Sequence, residues 1–220
     1  HFDKSLVPVY STDGTLALDK EEFPRPQTTA EGLAGLQPSF AAIADYPLDD
    51  SGVTYRAMVH QKYPDLEITH VHHAGNSSGV VDGAGAVLLA SPEYAKAHGM
   101  KPRARIKAMC NMGDCPTLML NAPVPAAHKV LKKAGMSLSD IDLFEINEAF
   151  AAQVLACLKG MGIAFDDSRV NPNGGAITVG HPLGASGPRI ALTAARQLRR
   201  VEGRYALVSM CIGLGQGIAM

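Results

Sequence analysis

Three residues in the second half of this 220-residue chain have types and settings suited to moving protons and stabilising charge: Asn147, His181 and Cys211. His181 stands in the corner Gly180-His181-Pro182, where glycine permits unusual backbone angles and proline fixes the chain just after the imidazole. A ring N–H presented at such a bend can polarise a substrate oxygen, or the ring can relay a proton to a thiolate; the plainer reading is a turn histidine bonded to backbone. Cys211 closes an apolar run and precedes Gly213 and Gly215, which sets its sulfur beside free backbone N–H groups. A thiolate there can accept a carbon-bound proton if donors lower its pKa. Taken alone, Cys211 reads first as a buried small hydrophobe. Asn147 falls between a strand and a helix, where the simplest role is an N-cap.

Other clusters carry less. The stretch Gly75 to Gly85 lacks the Lys-Ser/Thr of a phosphate-binding loop and the spacing of a dinucleotide fingerprint, so by its own chemistry it is a tight glycine-rich turn. His70 and His72 on a strand share one face and His73 the other, with no Cys or carboxylate at ligand spacing, so no metal is expected. Arg189, Arg196, Arg199 and Arg200 read as a solvated helix face. Twenty Lys and Arg balance 21 Asp and Glu without a like-charge block, which excludes the electrostatic footprint of a nucleic-acid or anionic-membrane binder. No run approaches the roughly 20 apolar residues of a membrane span. Four cysteines in a chain of this length predict reduced thiols in an intracellular setting, expected to be cytoplasmic, with an organelle left open because the start of the chain carries no Met.

The elements that must position these residues follow from periodicity. Residues 1–65 are rich in turn formers. Thereafter Glu67 to Val71 reads as a strand, Ala84 to Ala90 as an apolar run, Ser91-Pro92-Glu93 as the start of a helix ending near Gly99, and Ala104 to Met109 as a strand. Pro123 to Ala134 is a helix stopped by Gly135, with Val124, Ala127, Val130 and Leu131 on one face. Then come a strand Ile141 to Ile146, a helix Glu148 to Lys159 stopped by Gly160, a strand Ala176 to Val179, a helix Ala185 to Arg199 and a strand Tyr205 to Cys211. Such alternation predicts a layered α/β fold with a mixed sheet and functional residues at strand ends. The opening HFDKSLVPVY reads as a strand entered from upstream, and Gln216 to Met220 as a strand cut short, so the chain reads as a fragment.

Four motifs occur in one order: Gly75-Asn-Ser-Ser-Gly-Val-Val-Asp-Gly-Ala-Gly85, then N-E-A-F at 147–150, then N-x-N-G-G-A-I-x-x-G-H-P-x-G-A-S-G-x-R at 171–189, then C-I-G-x-G-Q-G at 211–217. Together they resemble the C-terminal portion of the thiolase family, acetyl-CoA acetyltransferases and 3-ketoacyl-CoA thiolases, from about Leu66 onward and more loosely from His1. The resemblance implies the thiolase fold, layered α-β-α-β-α with mixed five-stranded sheets, only its C-terminal part being present. Residues 1–65 then end the substrate-covering region, with an insertion at about 45–64. Residues 66–109 end the N-terminal half-domain, and 110–220 form the C-terminal domain. It implies thiolytic cleavage of 3-ketoacyl-CoA or the reverse condensation, with CoA as substrate and no resident cofactor. Cys211 becomes the acid/base cysteine and His181 part of the hole for the enolate oxygen. Asn147 orients a water in that hole, and the Gly213 N–H belongs to a second oxyanion hole. Phe150 lines the pocket, and Ser78 contacts the pantetheine arm. A homodimer or homotetramer is implied.

Two departures stand out. Leu214 occupies a place where the family more often has glycine. The family attacks with a cysteine in a Cys-x-Ser-Gly context, and Cys110, Cys115 and Cys157 are followed by Asn-Met, Pro-Thr and Leu-Lys. The nucleophile is therefore expected from a missing N-terminal half of the same protein. The alternative is a non-catalytic CoA-binding or scaffolding subunit, against which the joint presence of Asn147, His181 and Cys211 argues. A condensing enzyme acting on carrier-protein thioesters is a further alternative, disfavoured because those enzymes generally have histidine where Cys211 stands.

Overall fold

The computed structural model describes residues 2–220. In chain order the elements are β1 (Val9–Tyr10), β2 (Leu16–Leu18), α1 (Ala30–Ala34), α2 (Tyr55–Lys62), α3 (Pro92–Ala97), β3 (Cys110–Gly113), α4 (Pro123–Ala134), β4 (Leu143–Ile146), α5 (Ala151–Met161), α6 (Ala176–Val179), α7 (Leu183–Arg200), β5 (Ala206–Ile212) and β6 (Gln216–Ala219). Four strands form one mixed sheet in the order β3-β6-β5-β4: β5 and β4 run parallel and the other two pairs antiparallel. A fifth position survives as a single parallel bridge from Val170 to Phe144, where the Phe144 and Asn171 N–H groups donate to the Arg169 and Phe144 carbonyls, each at 2.9 Å. The expected five-stranded sheet is thus four strands and one bridged residue.

Every residue of β4 is buried because the sheet is covered on both faces. Phe144 and Ile146 join α4 and α5 in the larger core cluster, with Leu207 of β5. Leu143 and Val208 face the other way, against Ile190 and Ala194 of α7. The result is three layers: α4 and α5, the sheet, and α7. Alternation along β4 places Glu145 and Asn147 with Leu143 on the α7 face.

The helix α4 matches the sequence reading at both ends, with Pro123 in its first turn and Gly135 left-handed at φ 68°. The helix α5 starts and stops later than expected. Its stop is Gly162, at φ 73°, whereas Gly160 lies inside the helix, where a Cβ would come within 3.0 Å of Val124. Gly160 is there for close helix–helix packing. Asn147 does not cap this helix, whose N-cap is Phe150; instead its N–H extends the β4–β5 pairing by donating to Ser209 O at 2.9 Å.

The expected strand at 176–179 is a helical turn. Glu148 Oε2 accepts from Ile177 N at 3.1 Å, and Gly175 O accepts from Thr178 N and Val179 N at 3.0 Å each. A carboxylate at the start of the turn outweighs the β preference of Ile-Thr-Val, which is a weak local bias. The expected strand at 67–71 does not form, the apolar run 84–90 also lies outside any strand, and Val80, Leu88 and Leu89 are largely exposed. A strand is stable only with a partner, and among the described residues none is paired to these runs. The strand expected at 104–109 is displaced to 110–113, in register with β6.

The predicted insertion at 45–64 folds on itself, with a bridge from Pro47 to Thr54, an Asp45–Arg56 ion pair at 2.7 Å, and α2 capped by the Thr54 side chain. Its last segment reaches the main body, where Tyr63 Oη lies 3.7 Å from Cys115 Sγ. Because Phe144 is fully buried at the centre of the sheet, Phe144→Ala is expected to cost about 3–5 kcal/mol, read as a lower urea midpoint with little change in slope.

Candidate active site

The residues read as functional sit on three segments, the one after β4, the corner before α7 and the β5–β6 hairpin, of which the first and last leave the sheet at one edge. The glycine-rich loop joins the first two. Ser78 N donates to Ala149 O at 3.0 Å, Ser77 bridges to Phe150, and His181 N donates to Gly79 O at 2.7 Å. This brings the backbone of residues 77–79 against both the Ala149–Phe150 segment and His181. Asn147 is tied to β5 through Ser209, two residues before Cys211.

The His181 corner is fixed from several sides. Gly180 has φ +80°, and a Cβ there would lie 2.5 Å from the Val81 side chain, so glycine is needed both for backbone angle and for space. The carbonyl of Gly180 accepts from Arg189 Nη1 at 2.9 Å. Arg189 is therefore not part of a solvated face. It is half-buried, burial pushes its pKa down, and its charge is set against Glu145 and Glu148. Arg196, Arg199 and Arg200 are exposed.

His181 Nδ1 lies 2.5 Å from the hydroxyl of Ser186, which is fully buried and donates in turn to Pro182 O at 3.1 Å. With that donation made, the serine oxygen accepts from Nδ1–H and leaves a lone pair on Nε2. If the hydroxyl turns to donate to Nδ1, Nε2 carries the proton and becomes a donor. Burial, and then the Arg189 charge, push the His181 pKa down, so the ring is neutral at pH 7 and serves either role. Ser186 was not singled out in the sequence; a hydroxyl one helical turn beyond the corner was the available signal.

Cys211 is half-buried, and its thiol is pushed up to about 11, chiefly by burial and secondarily by Cys157. The condition set for a basic thiolate, a lowered pKa, is thus not met by this chain's own groups. At neutral pH Cys211 is a proton donor. Gly213 opens the hairpin tip 213–215, in which Leu214 is left-handed at φ 63° and 77% exposed while Gly215 is buried. That conformation disfavours a residue with a Cβ.

Phe150 packs on His72 at 4.4 Å between ring centroids and on Phe40 at 5.9 Å. His73 Nδ1 accepts from Gly75 N at 3.2 Å and caps the turn that begins the glycine-rich loop. Among the described residues no group of three or more His, Cys, Asp or Glu is placed to hold a metal, and no helix is long and apolar enough to cross a membrane.

Beneath the site lies a buried charge cluster that sequence reading missed. Glu145 is 3% exposed, and its carboxyl is pushed from an ordinary 4.5 up to about 7, first by burial and then by Glu148, with Arg189 opposing. Glu148 accepts from Asn171 Nδ2 at 2.8 Å as well as from Ile177 N, and its carboxylate fills the place of a side chain at Gly175. Asn147 is 2% exposed, and neither of its amide atoms has a protein partner.

The family comparison decides what this arrangement belongs to. The model of the family described as "Thiolase, C-terminal domain" matches residues 100–220, more than half of the chain. The chain belongs to the thiolase family. A beta-ketoadipyl-CoA thiolase of Acinetobacter baylyi is 46% identical over 100% of this chain and 49% of its own length. The crystal structure of human mitochondrial 3-ketoacyl-CoA thiolase superimposes with TM-score 0.79 and 42% identity, covering 97% of this chain and 47% of that one. The same human thiolase in complex with CoA gives TM-score 0.76 and 44% identity, over 92% of this chain and 44% of that one. This thiolase chain spans about half the length of the relatives it matches.

Between pH 4.5 and about 7 the folded thiolase chain must keep a proton on Glu145 that the unfolded chain releases. Stability is therefore lost as pH rises through that window. Glu145→Gln removes the penalty, so calorimetry is expected to find its Tm above wild type by about 2 °C or more at pH 8, and the gap closing toward pH 4.

Proposed function

We propose that this chain supplies the oxyanion-binding and proton-transfer part of a thiolase-type acyltransferase. The enzyme cleaves 3-ketoacyl-CoA with CoA, or runs the reverse condensation, and its nucleophilic cysteine lies outside residues 1–220. The observation that carries the reading is the clamp that the loop 77–79 makes between the Ala149–Phe150 segment and the neutral, serine-held His181. No cysteine of this chain has the setting of the family's nucleophile, so an outside thiolate attacks the 3-keto carbon. The C2–C3 bond breaks, and its electron pair passes to the enolate of the departing acyl-CoA. His181, in its Nε2–H form, and a water held by Asn147 stabilise that enolate oxygen. Cys211, held in the thiol form, delivers its proton to C2 and becomes the thiolate. CoA then attacks the acyl-enzyme, its thiol proton returning to Cys211, while the Gly213 N–H supports the acyl oxygen. Each cycle leaves the cysteine and histidine as they began.

The CoA complex of the human thiolase supports CoA as the second substrate; Ser78, beside His181 on the loop, contacts its pantetheine arm, and Phe150 borders the acyl pocket. Residues 1–65 belong to the covering region, 66–109 to the end of the N-terminal half-domain and 110–220 to the C-terminal domain. The complete enzyme is a cytoplasmic homodimer or homotetramer. In that complete enzyme, Cys211→Ala and His181→Ala are each expected to lower thiolysis turnover by about 10²–10⁴-fold. Steady-state assays that leave either variant within a few-fold of wild type would show the role assigned to it to be wrong.

A further inference from the structure

A small, partly open cavity of about 10 Å³ sits between β4 and α7, walled in part by Glu145, Asn147 and Arg189. Three buried polar atoms without a partner belong to two of these residues: Glu145 Oε1, Asn147 Oδ1 and Asn147 Nδ2. Buried polar groups are costly unless bonded, and the space is at the lower limit for one water, about 10–15 Å³. Glu145 and Asn147 lie two apart on one face of the strand and line the same cavity, which puts their unpartnered atoms around one water-sized space.

We propose that Glu145 is a positioning residue for Asn147, holding its carboxamide through one water in this cavity so that Nδ2 is turned away from Glu145 toward the second water, the one that meets the substrate oxygen. The protonated carboxyl donates to the water, and the water donates to Oδ1. If Glu145 ionises, the chain of donors reverses: the carboxylate accepts from the water, which accepts from Nδ2, and the amide turns round. The charged groups facing Glu145 favour the protonated form, because two carboxylates, Glu145 and Glu148, share the single guanidinium of Arg189, whose Nη1 is committed to the Gly180 carbonyl. Neutral His181 lies beyond Arg189. The rest of the wall, which includes Gly174, Ala176, Val179, Ile190 and Thr193, carries no ionisable group.

This inference rests on the proposed reaction, and its test separates the two. In the complete enzyme, wild-type thiolysis must first be measurable, with kcat falling as pH rises past about 7; a complete enzyme without turnover would defeat the functional reading itself. Glu145→Met, which keeps bulk but removes the donor, is expected to lower kcat by about 10-fold or more with KM for CoA unchanged. Glu145→Gln, which keeps a donor at every pH, is expected to recover most of that loss and to abolish the fall in kcat above pH 7. Turnover of a folded Glu145→Met within twofold of wild type overturns the proposal. So does an alkaline limb that is absent in the wild type or persists in Glu145→Gln, and the latter readout stands even if the Met variant fails to fold.

Discussion

The parallel pairing of β4 with β5 governs the position of everything else. Parallel strands end at the same edge of a sheet, so the residues that follow β4 and those that close β5 emerge side by side. The last rung, from Asn147 N to Ser209 O, extends that alignment one residue past β4 and sets Asn147 beside the approach to Cys211. Since the crossover between these strands must cover the sheet, α7 is laid across it, and the segment entering α7 arrives at the same edge with His181 at its corner. The glycine-rich loop then needs only three backbone contacts to close the site from outside. Backbone geometry accordingly does the coarse placement, and side chains such as Ser186 and Arg189 refine it.

The cost of that arrangement is a set of polar groups inside the sheet–helix interface. Glu145 occupies a core-facing position that Leu or Val would fill more favourably, and its raised pKa reflects the penalty of ionising there. Glu148 orders α6 and holds Asn171, while Arg189 holds the carbonyl behind His181. Buried polar groups of this kind specify one geometry at the expense of stability, which is the usual bargain at sites that do chemistry. The raised pKa of Cys211 has the same origin, since burial keeps its thiol protonated at neutral pH.

Much of this was legible beforehand where local chemistry and long-range demands agreed. The helix α4, with proline at its start, an apolar stripe and Gly135 at its end, is determined by its own residues. The four ordered motifs marked the loop, the segment after β4, the corner and the hairpin before any contact was known. What was not legible depended on partners distant in sequence. Ile177-Thr178-Val179 reads as a strand until Glu148, some thirty positions earlier, caps it as a helix. Gly160 reads as a stop until Val124 is found against it. Arg189 shares a helix with exposed arginines and differs only in what lies beneath it. The apolar runs at 67–71 and 84–90 carry strand composition, but composition supplies no partner.

The central claim is a division of labour: residues of this chain stabilise the enolate and move the proton, while another segment carries the acyl group. The most direct measurement is brief reaction of the complete enzyme with an acyl-CoA, acid quenching and mass spectrometry of the peptides. The account predicts a thioester on a single cysteine outside residues 1–220, with Cys110, Cys115, Cys157 and Cys211 unmodified. An acyl group on any of those four, or no acyl-cysteine in an enzyme that turns over, would contradict it.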